Sequence, residues 1–273
     1  HRYRAVGRQF GGTRRHCGAG AQRHHQQVAV GPRAALQRFV QRCELGAQRA
    51  AAHAGWTATD WRARLFAEGP VDAVLAATVA GDASAAALTE AARIAAGVEP
   101  RFVATSREAA GVRNGYADPS LLGVDRWLAV IGAYHRIRGA CVVADIGTAA
   151  TIDVVTDDGR HRGGFIVPGP ALMVSSLVSG TSDLRVRHES SGPPSGARFA
   201  DNTRDAMERG CRLAVAALID RSVDDAADGT GPLALLLTGG AAADVQPYLR
   251  CPVESMPDLV LRGLAVLAGA EPV

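Results

Sequence analysis

Two short stretches of this chain combine a carboxylate with neighbours whose types and spacing suit phosphate chemistry. In the first, Asp145-Ile146-Gly147-Thr148 follows the apolar run Ala140–Ala144 and leads into a second strand-like run, Ala150–Thr156. An acid delivered by a strand can reach a cation, and a glycine-threonine turn offers backbone N–H groups and hydroxyls to a phosphate. The stretch predicts a nucleotide-phosphate loop on a hairpin, although Asp-x-Gly-Thr by itself is also an ordinary strand-turn pattern.

The second stretch, Gly123-Val124-Asp125-Arg126-Trp127, lies where a loop passes into a helix. Phosphoryl transfer to an alcohol needs a carboxylate that accepts the hydroxyl proton, and Asp125 is the candidate base. Gly123 lets a substrate approach the backbone, and Arg126 can hold a carboxylate through two parallel hydrogen bonds. From these residues alone, the commoner explanation is a helix-start acid favoured by the helix dipole, with its neighbour in a surface ion pair.

Further motifs follow in a defined order and give the chain a family resemblance. They are Gly164-Phe165-Ile166-Val167-Pro168-Gly169 with Met173, Gly180-Thr181-Ser182-Asp183-Leu184, Asn202-Thr203 followed by Gly210, and Leu237-Thr238-Gly239-Gly240-Ala241. Together with the two stretches above, in this order and spacing, they resemble the type III pantothenate kinases, a family that includes the Bvg accessory factors. The resemblance extends from about Val71 to Val266.

The resemblance implies an activity, a fold and a set of ligands. The activity is ATP-dependent phosphorylation of pantothenate to 4'-phosphopantothenate, the first step of coenzyme A biosynthesis. The alternative is a catalytically impaired, kinase-like binding or regulatory protein. The implied α/β fold has two ribonuclease-H-like domains of the acetate kinase, sugar kinase, heat-shock protein and actin type, with ATP in the cleft between them. Magnesium, a monovalent cation (potassium or ammonium) and a homodimer are implied as well.

The resemblance also assigns roles to individual residues. Asp125 corresponds to the proposed base, and Asp145 corresponds to the ligand of the monovalent cation. The positions implied at the pantothenate site are Tyr116, Gly123, Val124, Arg126 and Thr181. The positions implied at ATP are Gly147, Thr148, Thr151, Gly239 and Gly240. Arg185 departs from the family pattern, which has proline there, so we expect a less rigid loop after Thr181.

Hydrophobic periodicity and turn residues predict alternating strands and helices from Val71 onward. The predicted strands are Val71–Val79, Phe102–Ala104, Ala140–Ala144, Ala150–Thr156, His161–Val167 and Leu233–Leu237. The predicted helices are Ala83–Ala96, Ser120–Arg138, Pro170–Val178, Asn202–Val223 and Pro257–Ala268. A hairpin turn is expected at Asp157-Asp158-Gly159. We place the domain boundary near Gly139, giving domains over residues 1–139 and 140–273.

Composition limits the classes of protein to consider. The chain has 273 residues and 47% hydrophobic residues, and it contains no lysine, which excludes a Walker-type phosphate loop. It has no run of eighteen uncharged apolar residues, so no membrane span is expected. The five cysteines form no Cys-x-x-Cys pair, which favours reduced thiols in the cytoplasm.

The first 43 residues differ from the remainder. They hold nine arginines and no acid, and the first acidic residue is Glu44. A member of the family should open with a strand and an Asp-x-Gly-Asn-Thr/Ser loop near the magnesium, to which Gly11-Gly12-Thr13 is the nearest match. One interpretation is a basic arm for nucleic acid or another polyanion; the favoured one is coding sequence read in a wrong frame. We expect no specific nucleic-acid binding, and weak ATP binding and slow turnover for the chain as written.

Overall fold

The structure is a computed structural model that describes residues 4–6, 26–31, 48–49, 56–66, 71, 73–78, 82–181, 199–227 and 233–270. Its strands are β1 Arg4–Val6, β2 Gln26–Gly31, β3 Gln48–Arg49, β4 Ala73–Thr78, β5 Arg101–Phe102, β6 Glu108–Ala109, β7 Val112–Arg113, β8 Cys141–Ile146, β9 Ala149–Val155, β10 His161–Pro168, β11 Ala234–Thr238 and β12 Glu254–Ser255. Its helices are α1 Ala58–Leu65, α2 Asp82–Ala96, α3 Val124–Ile137, α4 Pro170–Gly180, α5 Thr203–Ala226, α6 Ala242–Val245 and α7 Leu259–Ala270.

The chain divides into two compact units. The first comprises His1–Arg138, Asp158–Arg162 and Asp258–Val273, and the second comprises Gly139–Asp157 and Gly163–Pro257. Each unit carries a five-stranded sheet with helices, which confirms the α/β class. Helix α7 belongs to the first unit, whereas the domain boundary expected near Gly139 from the sequence would place it in the second.

The position of α7 has a local packing reason. A Cβ atom at Gly132 of α3 would lie 2.5 Å from the carbonyl oxygen of Leu259, and one at Gly263 of α7 would lie 1.9 Å from that of Leu128. The two helices therefore approach so closely that only glycine fits at the crossing. This contact joins α7 to α3 inside the first unit.

The second unit has a regular sheet in the order β10-β9-β8-β11-β12. Its central strand β8 pairs antiparallel with β9 and parallel with β11. Numbered within the unit, this order is 3-2-1-4-5 with the second strand reversed, which is the arrangement of a ribonuclease-H-like sheet. Its buried core residues include Val142, Ile152 and Ile219.

The first unit has a different sheet, in the order β3-β1-β2-β4-β5. Its central strand β2 is antiparallel to both neighbours, β1 and β4. A core under β4 holds Trp61, Leu65 and Leu88 at 0 to 1% exposure. Helix α1 begins with a capping box in which the Thr57 backbone N–H donates to Asp60 at 2.9 Å and the Thr57 hydroxyl accepts from the Asp60 N–H.

The predicted elements are found within three residues of their expected ends, apart from one helix start. The helix predicted from Ser120 begins at Val124, because Pro119–Leu121 form a 3-10 turn and Leu122 is extended. Asp118 caps that turn by accepting the Ser120 N–H at 3.0 Å. Within the described part of the chain, no helix has the length and apolar character that crossing a membrane requires.

Candidate functional site

The site in the first unit is built around the start of helix α3. Gly123 is the residue before the helix and provides no side-chain cap, and Asp125 lies in the first turn. The Asp125 Oδ1 accepts the Arg126 N–H at 2.8 Å. A Cβ atom at Gly123 would lie 2.7 Å from the same Oδ1, so a larger residue there would crowd the carboxylate. Asp125 and Val124 are both half-buried.

Arg126 is a buried cation with an aromatic partner. It is 5% exposed. Its Nη1 donates to the hydroxyl of Tyr116 at 2.8 Å, and its Cζ lies 5.7 Å from the centre of the Tyr116 ring. A buried guanidinium held on a ring face is suited to a planar anion such as a carboxylate. Four of the five expected pantothenate-site residues, Tyr116, Gly123, Val124 and Arg126, therefore lie in the first unit.

The turn that presents Tyr116 depends on the two residues before it, Asn114 and Gly115. Asn114 is 6% exposed, and its Oδ1 accepts the Tyr116 N–H at 2.9 Å. Its amide group also donates to the carbonyl of Ser106 at 3.3 Å. At Gly115, a Cβ atom would lie 2.0 Å from the His161 carbonyl oxygen, so this position accepts only glycine. His161 was not identified as a site residue from the sequence.

The site in the second unit is the hairpin between β8 and β9. The Gly147 N–H donates to the Ala149 carbonyl across the turn at 2.8 Å. Because that N–H is occupied, Gly147 provides space rather than a donor for a phosphate. Thr148 is exposed at the tip, and its carbonyl accepts the Gly169 N–H at 2.8 Å. A Cβ atom at Gly169 would lie 2.0 Å from the Gly147 carbonyl oxygen, which explains the glycine that ends Phe165-Ile166-Val167-Pro168-Gly169.

Asp145 lies in a row of oxygen-bearing side chains across three strands. Its cross-strand neighbours are Thr151 on β9 and Thr238 on β11. Directly paired residues place their side chains on the same face of a sheet, so the two hydroxyl-bearing residues flank the carboxylate. Carboxylate and hydroxyl oxygens are donors that fit a hard cation such as potassium or magnesium. No cluster of three or more His, Cys, Asp or Glu side chains that could hold a metal occurs among the described residues.

The glycine turn after β11 lies directly against this acid. Gly239 has φ of 92°, and a Cβ atom there would lie 2.3 Å from the Asp145 Oδ1. Past Gly240, the Ala241 N–H donates to the Ile146 carbonyl at 2.9 Å and ties the two turns together. All six residues expected at ATP or the cation lie on the β8–β9 hairpin or in the turn after β11, within the second unit: Asp145, Gly147, Thr148, Thr151, Gly239 and Gly240.

Thr181 follows the end of α4 in the second unit. It is exposed, and its hydroxyl donates to the Leu177 carbonyl at 2.7 Å, which closes the last turn of the helix. The predicted contact between this hydroxyl and pantothenate stays a prediction, and it would require the hydroxyl to exchange or share that bond. Arg185 and Gly11-Gly12-Thr13, the nearest match to the family's first phosphate loop, lie outside the described residues.

Comparison with known proteins gives one consistent result. The family model for type III pantothenate kinase matches residues 34–225. A type III pantothenate kinase of Azoarcus sp. (strain BH72) is 42% identical over 176 residues, which are 64% of this chain and 65% of that relative. Another, from Nitrosococcus oceani, is 37% identical over 206 residues, which are 73% of this chain and 76% of the relative.

A solved structure, component A of the Acidaminococcus fermentans (R)-2-hydroxyglutaryl-CoA dehydratase, is similar over nearly the whole length. The match covers 98% of this chain and 97% of the chain in that structure, at 13% sequence identity and a TM-score of 0.39. The family match begins at residue 34, well before the first motif recognised in the sequence, and ends before the turn at Gly239-Gly240.

Proposed function

We propose, because the chain belongs to the type III pantothenate kinase family, that it transfers the γ-phosphate of ATP to the primary hydroxyl of pantothenate. The observation that supports this most is the pair at the start of α3. A half-buried acid, Asp125, stands next to a 5% exposed arginine whose guanidinium is bonded to a tyrosine hydroxyl. A surface acid paired with an exposed arginine, the commoner explanation of Asp-Arg, would not bury the arginine.

In the proposed reaction, Asp125 accepts the proton of the substrate hydroxyl as that oxygen attacks the γ-phosphorus. The new P–O bond forms while the bond from the γ-phosphorus to the bridging oxygen breaks, and ADP leaves with the electron pair. Arg126 and Tyr116 bind the substrate carboxylate and orient it. Gly123 and Val124 leave room beside the acid, and Thr181 adds a hydroxyl for pantothenate.

The second unit would hold the nucleotide. Thr148 and Thr151 offer hydroxyls to the phosphates, and Gly147, Gly239 and Gly240 let them approach the backbone. Asp145, flanked by Thr151, would hold a monovalent cation, potassium or ammonium, and magnesium would be bound with ATP. These cations neutralise charge on the phosphates when they are bound.

We also propose a cytoplasmic homodimer that binds neither nucleic acid nor membrane. The edge strand β10 of the second unit exposes Phe165 at 51% and Ile166 at 60%. Other large apolar side chains of the same unit are exposed as well, namely Leu172, Leu177, Phe199 and Leu213. Exposed apolar side chains on an unpaired edge favour association with another chain. Sedimentation velocity should give twice the chain mass, and Ile166→Lys should give a monomer.

The experiment that tests the catalytic proposal is a coupled assay of ADP release by the full chain with ATP, with and without pantothenate. Pantothenate-dependent release supports the kinase. Binding of pantothenate without any turnover would favour the alternative, a kinase-like binding or regulatory protein.

A further inference from the structure

We propose that His161 is a positioning residue for substrate recognition: it fixes the ring of Tyr116, and through Tyr116 it orients the Arg126 guanidinium toward the substrate carboxylate. This inference rests on the proposed function, since it concerns how that site recognises pantothenate. It assigns a role to a histidine from a distant part of the sequence that neither the motifs nor the family resemblance identified.

The imidazole lies in contact with the tyrosine ring in a defined geometry. His161 is 0% exposed and is the first residue of β10. Its ring centre lies 6.1 Å from that of Tyr116, and the two planes are inclined by 15°. Offset parallel rings at this separation are a favoured arrangement. The imidazole therefore lies beside the tyrosine ring and limits the positions that the Tyr116 side chain can adopt.

The backbones that carry the two rings are also fixed relative to each other. The Arg113 N–H donates to the Gly159 carbonyl at 2.9 Å. Two residues further, Gly115 packs against the carbonyl of His161, where a Cβ atom would lie only 2.0 Å away. The segment Asp158–Arg162 belongs to the first unit although the residues on either side of it belong to the second. The spacing between the imidazole and the phenol is thus set by backbone contacts.

At its other end the tyrosine is bonded to the arginine. The Tyr116 hydroxyl accepts from the Arg126 Nη1 at 2.8 Å, and the guanidinium carbon lies 5.7 Å from the ring centre. A change in the χ1 angle of Tyr116 would move the hydroxyl and break this hydrogen bond, and rotation of the ring about χ2 would turn its face away from the guanidinium. A free arginine side chain has considerable rotamer entropy, so holding it in one orientation before the substrate arrives favours binding of a carboxylate.

The test compares pantothenate with pantothenol, in which the carboxylate is replaced by an uncharged alcohol group. Binding of each to the full chain is measured by calorimetry for the wild type, His161→Ala and His161→Phe. We expect His161→Ala to weaken pantothenate binding about tenfold, the range of one charge-assisted hydrogen bond, and to change pantothenol binding less than about twofold. In steady-state kinetics, His161→Ala should raise the KM for pantothenate and leave kcat nearly unchanged. His161→Phe, which keeps a ring face, should restore most of the affinity.

The matched control is His135→Phe, which alters another histidine of the same unit. The His135 Nε2 lies 2.7 Å from the Ala110 carbonyl oxygen, so this variant should lower stability without changing the ratio of the two affinities. If His161→Ala does not fold, His161→Leu replaces it, because leucine fills the space without offering a ring face. This variant should also weaken pantothenate binding while leaving pantothenol binding nearly unchanged. Equal weakening of both ligands, or a folded variant with unchanged pantothenate affinity, would overturn the positioning role alone. A wild type that binds neither ligand would instead overturn the proposed function.

Discussion

Gly239 and Asp145 lie so close that their positions cannot be varied independently. A Cβ atom on Gly239 would lie 2.3 Å from the Asp145 Oδ1, and the φ of Gly239 is 92°, a conformation that other residues rarely adopt. The glycine of the Thr238-Gly239-Gly240 turn is thus required both by its own backbone and by the acid on the next strand.

We therefore expect Gly239→Ala to displace the Asp145 carboxylate and to weaken ATP binding at least about tenfold, because an atom is forced into the space of the acid. The matched control is Gly163→Ala. Gly163 has φ of 97° in the same unit, but no atom lies within 4 Å of its Cβ position. Both variants should lose stability from backbone strain, and only Gly239→Ala should lose ATP affinity in a calorimetric titration. Similar losses in the two variants would contradict the assignment of this turn.

Replacement of Asp125 tests the proposed base. Asp125→Asn should lower kcat by roughly 10²–10⁴, the usual contribution of a general base, with little change in pantothenate affinity or melting temperature. Asp60→Asn is the control, because Asp60 also lies in the first turn of a helix and has a clear structural role. It should lower stability and leave kcat unchanged. Turnover by Asp125→Asn equal to that of the wild type would remove this residue from the mechanism.

Replacement of Asp145 tests the cation site. In Asp145→Ala, the row formed with Thr151 and Thr238 loses its only charged donor, so potassium should no longer lower the KM for ATP. In the wild type, exchanging potassium for tetramethylammonium should raise that KM about tenfold, because the larger ion cannot occupy a small oxygen-lined site. Steady-state kinetics in the two salts measure both effects. The same salt dependence in wild type and variant would place the cation elsewhere.

The buried thiol of Cys141 gives a prediction about pH. Burial raises the pKa of this thiol from its ordinary value of 9.0, which the unfolded chain keeps, to about 12. Between these values the folded state holds the proton and the unfolded state does not, so the free energy of unfolding falls as pH rises. Urea unfolding at pH 8, 9 and 10 should show that the free energy of unfolding falls by up to about 1.4 kcal/mol per pH unit. The slope should be smaller in Cys141→Ala, which lacks this thiol. Equal slopes in the two proteins would contradict it.

Hydrophobic periodicity and turn residues were enough to predict most of the helices and strands from Val71 onward. The hairpin around Gly147-Thr148 follows from an apolar strand ending in a turn, and the family of the chain was identified from motif order and confirmed by the comparisons. The start of α3 was predicted four residues too early, because Asp118 and Pro119 form a separate 3-10 turn that looks like a helix start in the sequence.

Contacts between segments that are distant along the chain could not be predicted from the sequence. The approach of Gly239 to Asp145 depends on the parallel register that pairs Thr238 with Asp145, which no periodicity specifies. His161 meets Tyr116 only because five residues, Asp158–Arg162, join the first unit between two stretches of the second. For the same reason the sequence assigned Tyr116 to the pantothenate site but gave no sign that the neighbouring Gly115 makes room for the carbonyl of His161.

The central claim is that this chain phosphorylates pantothenate, and ³¹P NMR of the reaction mixture tests it most directly. The purified chain is incubated with ATP, magnesium, potassium and pantothenate, with Asp125→Asn in parallel. We predict a new phosphomonoester resonance coupled to the protons of the primary carbinol, growing as ADP forms, and nearly absent with Asp125→Asn. A slow rate is compatible with the claim as long as the ester forms. ADP and inorganic phosphate without the ester, or an ester that forms equally fast with Asp125→Asn, would contradict it.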